Sequence, residues 1–375
     1  MGVAVEAKRA AARGGRVTGS DEKKPAKLRR SSVAGAPVLV EVTRGPLVES
    51  RHRGRAVVAD STGRVVAALG DLAADGPVYP RSANKALIAI PLVETGAAAA
   101  FGLGPEELAL ACASHSGEPM HTERVARWLA RVGCAETDLE CGAHAPTDGA
   151  TAERLARAGV TAGALYNNCS GKHAGMLTTA RHLGEPTRCY VGHEHPVQRR
   201  IAATLGEMAG IDLAQAPWGV DGCAIPTIGI PLAALARSMA RIAVPDRLPP
   251  GRQAAVRALA EAWGRHPELV GGTHAFDTRL MQAVGSRLLV KSGAEGMCCA
   301  VLPEHGLGVA LKVEDGGQRA AGVALLALLA ELRLLPSEVP ADLARPAVLN
   351  RTLVEVGQVR PAAGLSESLT DHPAF

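Results

Sequence analysis

Aromatic residues are nearly missing from this 375-residue chain: three Trp, three Tyr and three Phe, 2% of the total. The core must therefore be built from Ala, Val and Leu, and no surface can offer the aromatic platforms on which single-stranded nucleic acid stacks. A basic face is missing too. The formal net charge is +4, but residues 1–36 hold nine Lys/Arg against three Asp/Glu, and the remainder holds 32 against 34. The basic excess belongs to an N-terminal tail, and the near-neutral body argues against a nucleic-acid partner. No segment reaches the roughly 18 apolar residues of a membrane-spanning helix. The tail has no apolar run of signal-peptide type, and no repeat of roughly 20 to 50 residues points to a solenoid. Eight cysteines scattered through a long chain without secretory signals suggest reduced thiols and a cytoplasmic location, not a disulfide framework.

What is present divides the chain into three parts. Residues 1–36, Ala and Gly interrupted by Arg and Lys, read as a disordered extension, one that can even lie upstream of the true start codon. Residues 37–360 read as a single domain, and 361–375 as a C-terminal extension with no readable role. Val38–Thr43 has the pattern of an opening strand, and Arg55–Ser61 with Val65–Gly70 that of a hairpin around Thr62-Gly63-Arg64. From Ser82 onward apolar residues recur at three-to-four spacing. Helices are expected over Glu106–Ala113, Thr122–Val132, Thr151–Ala158, Lys172–His182, Pro196–Met208, Pro231–Ile242 and Gln253–Gly264. Strands return at Arg287–Ser292, Met297–Pro303 and Leu307–Glu314, followed by a helix over Gly317–Leu335 and an edge strand at Leu353–Val359. The expectation is an α+β fold. One sheet is assembled from 37–81 and 285–360, with 82–284 as a helical insertion, because strands and helices do not alternate.

Two kinds of chemistry are written on this frame. Ser82 and Lys85 lie three apart at the start of a helix, so they share a face. A serine hydroxyl becomes a nucleophile when a base takes its proton, and a lysine serves once burial or a neighbouring cation lowers its pKa. The same spacing also occurs on an ordinary solvated helix face, so the pair needs company. It is supplied by Ser114-His115-Ser116-Gly117 between two helices and by Lys291-Ser292-Gly293 at the end of a late strand. Serine in S-x-x-K, then a serine loop, then K-S-G, is the order of the penicillin-binding, β-lactamase and glutaminase fold. The middle loop departs from S-x-N at its third residue, which argues against transpeptidase or β-lactam chemistry.

The second kind is a possible metal centre. Cys169 and Lys172 are three apart at a helix start, and the Gly-rich run Trp218–Cys223 brings Cys223. Two thiolates suit zinc, and a lysine can join them only as the neutral amine, so binding would expel its proton. The alternative is that these are buried free thiols, as read for Cys112, Cys134, Cys141, Cys189, Cys298 and Cys299. His144 and His173 are nearby candidates that read better as capping or surface residues.

Taken together, PRSANKALIAIPLVETGA, ASHSGEPMHTERV, CGAHAP, NNCSGKHAGML, WGVDGCAIPT and KSGAEGMCCA resemble the bacterial L-asparaginase II family, the rhizobial-type (class 3) asparaginases. The resemblance covers roughly residues 37 to 360. It implies a serine β-lactamase/glutaminase-like fold, usually a homodimer, that hydrolyses L-asparagine to L-aspartate and ammonia. It further implies two Ser-Lys tandems, Ser82 with Lys85 and Ser114 with Lys291. Zinc would lie on Cys169, Lys172 and Cys223, with Asp221 holding metal-bound water or substrate. By charge, Arg81 is expected to meet the substrate α-carboxylate and Glu295 its α-ammonium. The rival readings are a glutaminase or other acyl-serine amidase of the same fold, and a non-catalytic zinc- or asparagine-binding protein.

Overall fold

A computed structural model describes residues 35–72 and 76–371. Apart from its last two residues, the basic tail lies outside the described residues. Eleven strands follow in chain order: β1 (Val38–Arg44), β2 (Leu47–Asp60), β3 (Val65–Leu69), β4 (Trp218–Val220), β5 (Pro226–Ile228), β6 (Leu289–Gly293), β7 (Met297–Leu302), β8 (Leu307–Val313), β9 (Ala347–Leu349), β10 (Glu355–Pro361) and β11 (Leu369–Asp371). Nine form one sheet in the order β6-β7-β8-β2-β1-β10-β9, with β3 also on β2 and β11 on β3. The remaining two, β4 and β5, form a separate hairpin inside the helical block. Every described pairing is antiparallel. The sheet thus joins the two ends of the domain, as the α+β reading expects.

The sequence reading recovered only the second half of β2. Its first half, Leu47–Arg53, pairs with β1, while Gly54–Asp60 pairs with β8. Gly54 allows the change of partner: a Cβ there would lie 2.4 Å from the Lys312 carbonyl oxygen. One expectation about the C-terminus needs correction. The strand expected at Leu353–Val359 is not an edge, because β10 lies between β1 and β9. Residues 361–371, read as the start of a C-terminal extension, pack on the sheet. Ala362 N–H donates to the Leu39 carbonyl, Leu365 is buried, and β11 pairs with β3.

Every residue of β7 is buried, as are six of seven in β8, so both faces of the sheet are covered. Helix Leu232–Ala243 lies directly on β8 at Gly308, where an added Cβ would stand 2.2 Å from both Ala236 O and Ala240 N. Helix Gln318–Glu331 packs against β1, β7, β8 and β10. The seven helices expected in the insertion are all present with ends shifted by a few residues, among them Pro119–Arg131, Ser170–Leu183 and Pro250–Arg265. Others were not anticipated one by one: Lys85–Ile88, Ile90–Glu94, Pro267–Gly271 and Phe276–Val284. The few aromatics do as composition requires. Trp128, Trp263 and Tyr190 are fully buried, and the rest of the core is Ala, Val, Leu, Ile, Met and Cys.

Candidate active site

Ser82 lies in a tight 3₁₀ turn, Arg81–Asn84, that leads into helix Lys85–Ile88. The turn is pinned from below by β6. At Gly293 a Cβ would meet Ala83 N at 2.8 Å and Pro80 O at 2.9 Å, so the glycine of K-S-G is required for that close approach. Arg81, next to the serine, has φ +52, a left-handed backbone that costs a non-glycine residue on the order of 1 kcal/mol or more and is common at functional sites. With Ser82, Lys85, Lys172, His193 and Asp221, Arg81 lines a narrow cleft of about 20 Å³.

Lys85 is only 1% exposed. Its Nζ donates to Ala113 O at 2.5 Å and to Ser114 Oγ at 2.8 Å. Lys85 and Ser82, read as sharing a helix face, are not hydrogen-bonded to each other; the buried amine is taken up by the Ala113–Ser114 loop. Burial, reinforced by the cationic Lys172 and Lys291, lowers Lys85 to about 8 against the opposing pull of the Cys169 and Cys223 sulfurs. An amine near that pH can give and take a proton.

Lys291, 2% exposed on β6, does not hydrogen-bond Ser114 as the tandem reading expects. It forms a buried ion pair with Asp277, Nζ to Oδ2 3.1 Å, and donates to Ser292 O at 2.8 Å. Asp277, on helix Phe276–Val284, escaped the sequence reading. So did His115, which accepts a hydrogen bond at Nδ1 from Gly117 N (3.2 Å) and therefore presents its Nε2 proton to Ser170 Oγ (2.9 Å). That bond ties the Ser114 loop to the start of the Cys169 helix. Neither residue carries a local signal; their roles come from contacts 14 and 55 residues away in sequence.

Cys169 caps helix Ser170–Leu183, every residue of which is buried from Ser170 to Ala180. Gly171 allows the helix to sit on Leu110, whose carbonyl oxygen would be 2.3 Å from an added Cβ. Cys223 stands in the β4–β5 loop, closed by Asp221 N–H donating to Ile225 O (2.8 Å) and Ala224 N–H to Asp221 O (2.9 Å). The fold brings the three expected ligands together. Lys172 Nζ is 2.9 Å from Cys223 Sγ, and the Cys169 sulfur is close enough to both for their charges to be coupled. Hydrogen bonding from Cys223, with Lys172 and Lys85 alongside, holds Cys169 well down despite its burial. The Cys169 bond and burial push Cys223 up, so the pair shares one thiolate. Burial works against a charged Lys172, but the two sulfurs overcome it and raise its pKa.

Asp221 links the cysteines to the cleft. Its Oδ2 is 3.1 Å from Cys223 Sγ and its Oδ1 accepts Arg81 Nε at 2.5 Å. Although burial opposes it, Lys172, the Cys223 thiol and Arg81 hold the Asp221 carboxyl at about 2. Glu295 is the one expected substrate contact that the structure leaves outside. It stands exposed in the β6–β7 turn with φ +60, and its carboxylate lies beside Gly316. His144 has both ring nitrogens committed, to Asn168 N–H and to Ala145 O. His173 pairs through Nδ1 with Tyr190 Oη at 2.7 Å.

The donor set fits a soft divalent cation. One thiolate is already favoured at Cys169 beside Lys172 and Lys85; a metal would have to displace the Cys223 proton and the Lys172 proton that the sulfurs now retain. No three His, Cys, Asp or Glu side chains gather round one point among the described residues, so Lys172 would have to be the third protein ligand.

Comparison with known proteins adds the following. The family description "L-asparaginase II" matches residues 40–361. No curated protein matches the chain. Among solved structures, a β-lactamase from Mycobacterium bovis is similar at 17% identity, over 74% of this chain and 94% of its own, with a TM-score of 0.40. A protein described as Mglu in its Tris and glutamate form shows 19% identity, over 82% of this chain and 66% of its own, with a TM-score of 0.36.

Proposed function

The chain belongs to the L-asparaginase II family, and from that premise we propose that it hydrolyses the side-chain amide of L-asparagine, with Ser82 as the nucleophile. The observation that carries this reading is the buried Lys85 amine, fixed 2.8 Å from Ser114 Oγ beside a cleft that Ser82 itself lines. Neutral Lys85, with Ser114 as its hydrogen-bonded relay, accepts the Ser82 proton as Oγ attacks the amide carbon. The C–N bond breaks, that proton leaves with ammonia, and water cleaves the aspartyl ester by the reverse proton path.

Arg81 and Asp221 form an ion pair in a cleft with room for little more than a water molecule. A zwitterionic amino acid replaces that single pair with two, its carboxylate on Arg81 and its ammonium on Asp221. Substrate entry therefore parts the pair. Cys169, Lys172 and Cys223 would hold a zinc ion, which when bound supplies a Lewis acid at this wall of the cleft.

The deciding experiment is coupled ammonia release from millimolar L-asparagine and L-glutamine, beside turnover of a chromogenic β-lactam, with protein purified without chelator. Release from asparagine alone is expected. Preference for glutamine or for the β-lactam would move the chain to another acyl-serine activity. Tight asparagine binding without release would make it a binding protein.

A further inference from the structure

Lys291 is held by a residue outside every motif described so far. Asp277, 4% exposed, makes three contacts with the K-S-G strand. Its Oδ2 accepts Lys291 Nζ at 3.1 Å and Ser292 N–H at 2.8 Å, and its Oδ1 accepts the Ser292 hydroxyl at 2.5 Å. A single carboxylate thus fixes an ammonium, a backbone amide and a hydroxyl of two consecutive residues.

We propose that Asp277 is a positioning residue for the amide hydrolysis, setting both the Lys291 ammonium and the end of β6 against the Ser82 turn. This rests on the function proposed above. The argument has two parts. First, a buried ion pair contributes little net stability, and apolar side chains of similar volume often do as well or better. The Asp277–Lys291 pair, with side chains 5% and 3% exposed, therefore needs a reason other than folding, and Lys291 lies within electrostatic reach of Lys85. Second, Ser292, whose amide and hydroxyl Asp277 holds, is followed by Gly293. Gly293 is packed so tightly on Pro80–Ala83 that a Cβ would stand 2.8 Å from Ala83 N. Any slip of Ser292 reaches the serine turn through that contact, and misplacements of about 1 Å can cost on the order of 100-fold in rate.

The test is steady-state ammonia release by wild type, D277N, D277E, K291M and the double variant K291M/D277N, with folding followed by circular dichroism. D277N is expected to lower kcat about 100-fold and to change KM by less than about threefold, with partial recovery in D277E. Asn at 277 keeps an acceptor for Ser292, so the loss in D277N runs mainly through Lys291, and K291M/D277N is expected to be less than about tenfold slower than K291M. A D277N enzyme within twofold of wild type overturns the proposal. So does a double variant at least tenfold slower than K291M, since that would mean a structural loss independent of Lys291. If D277N alone fails to fold, comparing the double variant, in which both buried charges are gone, with K291M decides by the same criterion. Wild type that releases no ammonia from any amide refutes the reaction itself. Wild-type turnover with an unimpaired D277N refutes only the role of Asp277.

Discussion

Replacing Lys85 by Met removes the amine and keeps a long, flexible, apolar stem of similar volume. If Lys85 is the base, the loss is that of a positioned general base, typically 10²–10⁴-fold, so kcat should fall about 10³-fold, or about 4 kcal/mol of barrier. The fold should survive. Ala113 O and Ser114 Oγ lose their contacts at 2.5 Å and 2.8 Å, at a cost of about 1–3 kcal/mol, while an amine whose burial is unfavourable is removed. These effects oppose each other, and Tm should move by no more than about 5 °C. The pH dependence of wild type provides a second arm. Lys85, lowered to about 8, is a non-basic ammonium below that pH and a free amine above it. Activity is therefore lost as pH falls: kcat should rise about 50-fold from pH 6 to 8 and level off above, following the unprotonated fraction. Ammonia release across pH 6–10, with thermal melts of both proteins, measures all of this. A K85M enzyme within tenfold of wild type, or a flat rate between pH 6 and 8, refutes Lys85 as the base.

Further outcomes follow from the same geometry. Ser82→Ala should cost at least about 10³-fold in kcat with an unchanged melt; near wild-type turnover would instead point to Ser114 as the nucleophile. Cys169→Ser should reduce bound zinc from about one equivalent per chain to a small fraction, read by metal analysis after gel filtration. Equal zinc in both proteins would exclude this cluster as the metal centre. Gly308→Ala forces a methyl group to within 2.2 Å of two backbone atoms of helix Leu232–Ala243, an overpacking cost of about 3 kcal/mol. Its Tm should fall by at least about 5 °C, and an unchanged Tm would contradict this helix–sheet contact.

Periodicity made helices such as Pro119–Arg131 and Leu232–Ala243 legible, because each buries one stripe of apolar residues and the stripe is local. The strands β7 and β8 were legible as short apolar runs around the turn Glu304-His305-Gly306. Legibility failed where the deciding partner is distant. The first half of β2, with alternating exposed positions in Leu47–Glu49 and Arg51, is a strand because β1 lies beside it. The β4–β5 hairpin has only three residues per strand, too few to show a period. At the site, residue identities could be read but pairings could not. The spacing of Ser82 and Lys85 places both on one helix face, whereas the fold turns Lys85 toward a loop 29 residues on. Glu295 is only four residues from Lys291, but the positive φ of the turn carries its side chain out of the cleft.

The pairings also indicate which of the four cations at the site is suited to be a base. Arg81 is held by the Asp221 carboxylate, Lys291 by Asp277, and Lys172 by the Cys223 sulfur at 2.9 Å with Cys169 close by. Lys85 instead donates to a carbonyl and a hydroxyl and has no carboxylate partner among the described residues. The Cys169 thiolate is also within its reach and pulls it toward the charged form, but burial and the two neighbouring ammonium groups outweigh that pull. An amine in which burial outweighs its anionic neighbour gives up its proton readily, while a cation paired with a carboxylate keeps its own. In the proposed reading the environment separates like residues by function: Arg81 and Lys291 keep their charges to hold a substrate's carboxylate or to order the site, and Lys85, as a neutral amine, takes the proton of Ser82. Sequence spacing alone assigns Lys85 and Lys291 the same role; the carboxylate at Asp277 and its absence at Lys85 set them apart.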